Sequence, residues 1–167
     1  MSQPAVKSRD SAAKPPGARH DQDLYTWVQE QVALLRAGRL AEIDAENIAE
    51  ELADVGRSEY RELQSALALI LTHLLKWDHQ PEKRTRSWEN TIKAQRQHYA
   101  NALEDSPGLK SRREEALTRA YSLACLAASS ETGLSTSSFP AECSYGWDEI
   151  LERPFANEAP PSSGRKR

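Results

Sequence analysis

An all-α helical bundle is the fold this chain predicts, with four main helices, a short fifth near the C-terminus and a tail at each end. Three observations carry it. Apolar residues recur at three- and four-residue spacing in four segments between residues 23 and 133. No stretch of any length alternates with the period of two that a strand requires, and helix-stop signals fall between the segments. At 167 residues, 38% of them hydrophobic, the chain has single-domain length and apolar matter for a modest core.

The first helix opens near Asp23, with Asp21 or Asp23 as cap, and turns Leu24, Trp27, Val28, Leu34 and Leu35 inward. It ends at Arg36, with Gly38 in the position after the cap that glycine fills most cheaply. The second begins after Asp44, and its stripe is Ile48, Leu52, Val55, Leu63, Leu67, Ile70, Leu74 and Trp77. Continued to His79 it spans about 50 Å at 1.5 Å per residue. Gly56 lies inside it, where glycine costs roughly 1 kcal/mol against alanine. Such a glycine implies a close neighbouring backbone, or a kink or stop with Ser58 capping a new helix. The common phase of Ile48–Val55 and Glu59–Leu67 favours a continuous or gently kinked helix. Pro81 forces the exit. A third helix covers Ser87 to Leu103, with Trp88, Ile92, Tyr99 and Leu103 inward. Ser106-Pro107 reads as an N-cap followed by proline at the first helical position, opening an alanine-rich fourth helix that stops at Gly133. A loop around Pro140 and a short helix Trp147–Leu151 close the fold.

Residues 1–20 and 156–167 are poor in apolar groups and rich in proline, glycine, serine and basic residues, the composition of disordered tails. A single helical domain is expected between them, over 21–155. The net charge of −3 conceals an uneven distribution. Residues 21–62 carry eleven acids against four bases, and residues 76–113 nine bases against five acids. The folded middle, with twenty-three acids and fifteen bases, counts against nucleic acid as a partner. Two cysteines make no disulfide framework, and no secretory apolar region opens the chain, so a reduced cytoplasmic protein is the expectation. The longest apolar run is about half of a membrane span. The chain lacks a glycine-rich phosphate loop, His-Glu-x-x-His, Gly-x-Ser-x-Gly and Cys-x-x-Cys. His73 and His79, six apart on one helix, point about 120° away from each other and make a poor metal pair. No metal, cofactor or catalytic residue is therefore assigned.

The most informative stretch is Ala66 to Leu75, apolar on nearly every side, which belongs in a bundle core or a subunit interface. A cationic, aromatic run follows it: Lys76, Trp77, Arg84, Arg86, Trp88, Lys93 and Arg96. Cations interleaved with tryptophans suit phosphate or acidic-peptide capture, and equally suit cation–π packing against the chain's own acids. Glu59 falls in phase with Val55 and Leu63. A buried carboxylate there needs a partner, for which Arg84, Arg86 and Arg96 are candidates; a rim position reaching water is the alternative. His73, between Ile70 and Trp77, is either a neutral core residue with one ring nitrogen bonded locally or a proton shuttle.

Several segments, taken together, resemble one family. They are Asp23-Leu24-Tyr25-Thr26-Trp27, Leu34 to Leu40, Glu46 to Leu52, Gly56-Arg57-Ser58-Glu59 and His73 to Trp77. Gln80-Pro81-Glu82 with Arg84 and Arg86-Ser87-Trp88, then Phe139-Pro140, Glu142-Cys143 and Tyr145, continue the likeness. The chain is identified as a member of the bacterial family called domain of unknown function 29, over about Asp21 to Leu151. Leu24 stands where that family often has an aromatic residue, and Ser144 where proline is common. The resemblance implies an all-helical domain and a bacterial source, and no reaction. Its matching polar positions, Glu51, Arg57, Glu59, His73, Lys76, Arg84, Arg86 and Trp88, make a candidate polar cluster, to which the basic run adds Trp77 and Arg96. The function expected is a non-enzymatic interaction module with a protein partner, with a homodimer through residues 66–75 as one form. Anion or nucleic-acid binding through 76–113, and an enzyme built on Glu59, His73 and the arginines, are the alternatives.

Overall fold

In the computed structural model, which describes residues 19–155, five α-helices and no strand are found among the described residues. They are α1 (Leu24–Arg36), α2 (Ala45–His79), α3 (Arg86–Asp105), α4 (Arg113–Thr132) and α5 (Trp147–Leu151). Single 3₁₀ segments cover Pro81–Lys83, Pro107–Arg112 and Thr136–Ser138. The expected tails, apart from Arg19 and His20, lie outside the described residues. The helical region divides into two compact units, one ending at Asp54 and one starting at Val55.

In the first unit Asp23 caps α1 by accepting from the Thr26 amide at 3.0 Å. Gly38 follows the helix at φ +68°, a left-handed conformation that disfavours a side chain. α1 buries Trp27 and Gln31. Gln31 accepts from the Asp44 amide at 2.8 Å, which fixes the entry to α2, and the Asp44 carbonyl accepts from Ile48. Leu24 and Leu35, expected inward, are exposed. Leu52 and Val55, expected on the buried stripe of α2, are exposed as well, at 67% and 59%.

The second unit explains where the stripe becomes a core. Glu59 accepts from the Ser106 hydroxyl at the end of α3, while Lys76 Nζ lies 4.4 Å from the ring centre of Trp88 at its start, so α2 and α3 are antiparallel. Arg112 stacks on Tyr60 at 3.9 Å, just before α4, and Lys76 meets Glu131 near its end. α4 therefore runs in the direction of α2. Within this unit Glu59 and Tyr60 meet the end of α3 and the start of α4, and burial of α2 starts at Tyr60. Leu63, Leu67, Ile70, Leu71, Leu74 and Leu75 are fully buried. Ala116, Ala120, Ala124 and Ala128, one per turn along α4, show no exposed surface. That small-residue stripe is the buried face of α4. The apolar residues of 66–75 are thus largely consumed by this chain's own core, leaving Leu69 as the exposed large one.

Two boundaries differ from expectation for physical reasons. α3 starts at Arg86 because Thr85 accepts from the Trp88 amide. Ser106 precedes a 3₁₀ segment and not α4; it makes no side-chain cap bond there, and its hydroxyl donates to Glu59 at 3.0 Å. The chain winds as a 3₁₀ helix from Pro107 to Arg112 before the α-helix begins. The fourth helix ends as expected, with Gly133 at φ +77°.

Gly56 is a helical residue of α2, and a Cβ built on it meets nothing within 4 Å. Neither close approach nor a break explains the glycine. Gly56→Ala is therefore expected to stabilise the protein by about 0.5–1 kcal/mol, seen as a raised thermal midpoint. A lowered midpoint would mean that α2 has to open at this residue.

Candidate functional site

The polar residues singled out from the sequence do not converge. Glu51, in the first unit, pairs with His20 at 2.6 Å, and the His20 imidazole stands edge-on to Trp27 at 4.7 Å. Arg57 is exposed on α2. Glu59 is half-buried and finds Ser106 rather than any of the three arginines proposed for it. It borders a pocket of about 380 Å³ shared with Glu62, His98, Asn101 and Asp105. His73 lies fourteen residues further along the same helix, about 21 Å away at 1.5 Å per residue, which is beyond any shared proton transfer.

His73 behaves as a local structural residue. Its Nδ1 sits 2.9 Å from the Leu69 carbonyl. A carbonyl only accepts, so Nδ1 carries the proton and donates. Burial, followed by the nearby Lys76 charge, pushes its pKa below the usual histidine value, against the Leu69 bond and Glu131. Burial thus favours the neutral ring.

Four cations of the central run have partners within the chain. Lys76, only 6% exposed, pairs with Glu131 at 2.5 Å and lies over Trp88. Its buried charge therefore has both a carboxylate and an aromatic face. Arg84 donates from Nε to the Trp77 carbonyl at 2.9 Å, closing the last turn of α2 in the way a basic residue satisfies orphan carbonyls. Its guanidinium covers the Trp77 ring. Lys93 pairs with Glu89 one turn back. Arg96 donates to three carbonyls, Ile150 at 2.8 Å, Arg153 at 2.9 Å and Glu149 at 3.0 Å, fastening the end of α5 to α3. Arg86 is exposed at the first position of α3. Lys76 and Trp88 meet, as do Trp77 and Arg84, but no single cleft gathers the candidates.

A polar centre that the sequence reading missed lies beside Trp77. Arg153 holds Asp78 with two bonds, at 2.7 and 2.9 Å, and the Tyr145 hydroxyl donates to the same carboxylate at 3.0 Å. Phe155 packs edge-on to Trp77 at 4.9 Å, beneath the guanidinium groups of Arg96 and Arg153. Burial by itself raises the Asp78 carboxyl, but Arg153 and Tyr145 overcome it and leave it below the usual carboxylate value. The available signal was a carboxylate at the end of an all-apolar helix, which needs a partner; nothing in the sequence points to Arg153.

Among the described residues no three of histidine, cysteine, aspartate and glutamate are placed to hold a metal ion, and no helix is long and apolar enough to cross a membrane. What fold and fixtures define is an all-helical domain whose buried polar groups tie its helices to one another. The chain belongs to the family described as domain of unknown function DUF29, whose model matches residues 20–156. No curated protein matches it, and neither does any solved structure.

Proposed function

We propose that this chain is a non-enzymatic interaction module that binds a protein partner through the beginning of α2. The observation that carries this reading is the exposure of Leu52 and Val55, 67% and 59%, three residues apart on one helical face. Ala45 and Ala49 extend the same exposed stripe, and Glu46, Glu50 and Asp54 flank it. An amphipathic helix with spaced apolar anchors and an acidic border is the form that groove-binding helices take. Residues 66–75 are a weaker candidate for a dimer contact, because their apolar side chains already fill this chain's core. Nucleic-acid binding through 76–113 has less support too, since Lys76, Arg84, Lys93 and Arg96 are engaged within the chain.

The test is capture from lysate with the intact chain, a Leu52→Glu/Val55→Glu variant and an Arg84→Ala/Arg86→Ala variant, with eluates analysed for protein and nucleic acid. A protein partner lost from the first variant and kept by the second is the expected result. Loss only from the arginine variant, or recovery of nucleic acid that falls steeply with salt, would overturn the reading.

A further inference from the structure

The second unit contains a groove of about 540 Å³ between α3, the Pro107–Arg112 segment and the end of α5. The ring of Tyr99 with Ala100, Leu103 and Leu151 gives it an apolar floor. Its charges are arranged along α3. At one end Arg96, committed to backbone carbonyls, is offset by Glu152. At the other, Lys110 and Glu104 bring opposite charges to the lining. Arg113 lines the same groove and has no ion pair among the described residues. Its neighbour Glu114 accepts instead from the Trp147 indole at 2.9 Å.

Arg113 is held as a rigid fork. Its Nε donates to the Tyr99 hydroxyl at 2.6 Å, and its guanidinium carbon lies over the Trp147 ring, 4.0 Å from the ring centre. Trp147 is in turn stacked near Tyr99. Both terminal nitrogens lack a hydrogen-bond partner among the described residues. A guanidinium fixed through its Nε edge and one face, with its terminal nitrogens open, needs little ordering to accept two oxygens of a planar anion. An apolar floor beside it selects what that anion is attached to.

We propose that this groove binds a carboxylate carried on an apolar body, anchored at the terminal nitrogens of Arg113. Such a carboxylate comes either from a free aliphatic acid or from an acidic side chain set among apolar ones in a peptide. The site is separate from the start of α2 and stands or falls independently of the docking face there.

The experiment is a titration of the full chain with octanoate, followed by NMR at the Trp147 indole and the Leu103 and Leu151 methyls. An acetylated peptide of alternating leucine and glutamate forms a second arm, and octylamine and octanol serve as controls. Saturable shifts with octanoate are expected, weakened about tenfold or more by Arg113→Lys, which keeps the charge and loses the fork. Ala100→Leu, at an exposed position, fills the groove without entering the core and is expected to abolish them. Binding of octanoate alone would identify a free acid as the ligand, and binding of the peptide, with or without octanoate, a protein side chain. If neither binds, if octanol or octylamine matches octanoate, or if Ala100→Leu leaves the titration unchanged, the proposal is wrong. The Ala100 variant keeps the test decisive even where Arg113→Lys disturbs the fold.

Discussion

Leu71→Ala is expected to lower the free energy of unfolding by about 2–5 kcal/mol, the range for removing a large aliphatic side chain from a packed interior. Leu71 has no exposed surface, and its neighbours Ile70, Leu74 and Leu75 have none either. Truncation leaves a cavity walled by side chains that are themselves fully buried, which gives it little room to collapse. Leu69→Ala on the same helix removes a side chain that is 42% exposed and is expected to cost well under 1 kcal/mol if Leu69 contacts no second molecule. Chemical denaturation at two protein concentrations tests the pair. A midpoint for Leu71→Ala that is low and independent of concentration makes 66–75 the core of one chain. A midpoint that rises with concentration, together with a large loss at Leu69, would make the segment a subunit interface instead.

The helices were legible in the sequence because their signals are local. Asp23, Gly38, Pro81 and Gly133 each act within a turn of their own position, and the boundaries they imply are met. Ser106 shows the limit of such signals. A helical segment does begin after it, but a 3₁₀ one without a side-chain cap bond, and its hydroxyl meets Glu59, forty-seven residues away. Leu52 and Val55 fail for a related reason. Period alone places them on the buried face, whereas burial depends on what other elements pack there, which no feature of α2 encodes.

The polar residues follow the same division. His73 bonds within its own helix, one of the two readings that its surroundings allowed. Lys76 has partners, Glu131 and Trp88, that lie on other helices, so composition could nominate it without locating it, whereas Arg84 closes onto Trp77 seven residues back. Arg113 and Trp147 drew no attention, because thirty-four positions separate them and neither sits in a recognisable motif.

The Asp78 centre leads to the second large effect. Removing one partner of a buried ion pair costs roughly 3–5 kcal/mol. Asp78 and Arg153 are 29% and 28% exposed, so Asp78→Ala is expected to cost about 2–3 kcal/mol after that solvent contact is discounted. The loss includes Arg153 and the Tyr145 hydroxyl left without their acceptor. The pH dependence follows from two opposite shifts. The Asp78 carboxyl is held below its ordinary value in the folded chain, so its contribution is complete above the unfolded value of about 3.9. It is lost as pH falls through the lower, folded one. Burial, then the Asp78 charge and hydrogen bond, push the Tyr145 phenol above its ordinary value. Its contribution is complete below the unfolded value of about 10 and is lost as pH rises beyond it. Stability measured from acid to alkali should therefore decline at both limits in the native chain. Asp78→Asn should flatten the acid limb and Tyr145→Phe the alkaline one. Parallel profiles for all three proteins would show that this centre contributes nothing to closing the C-terminal segment over α2.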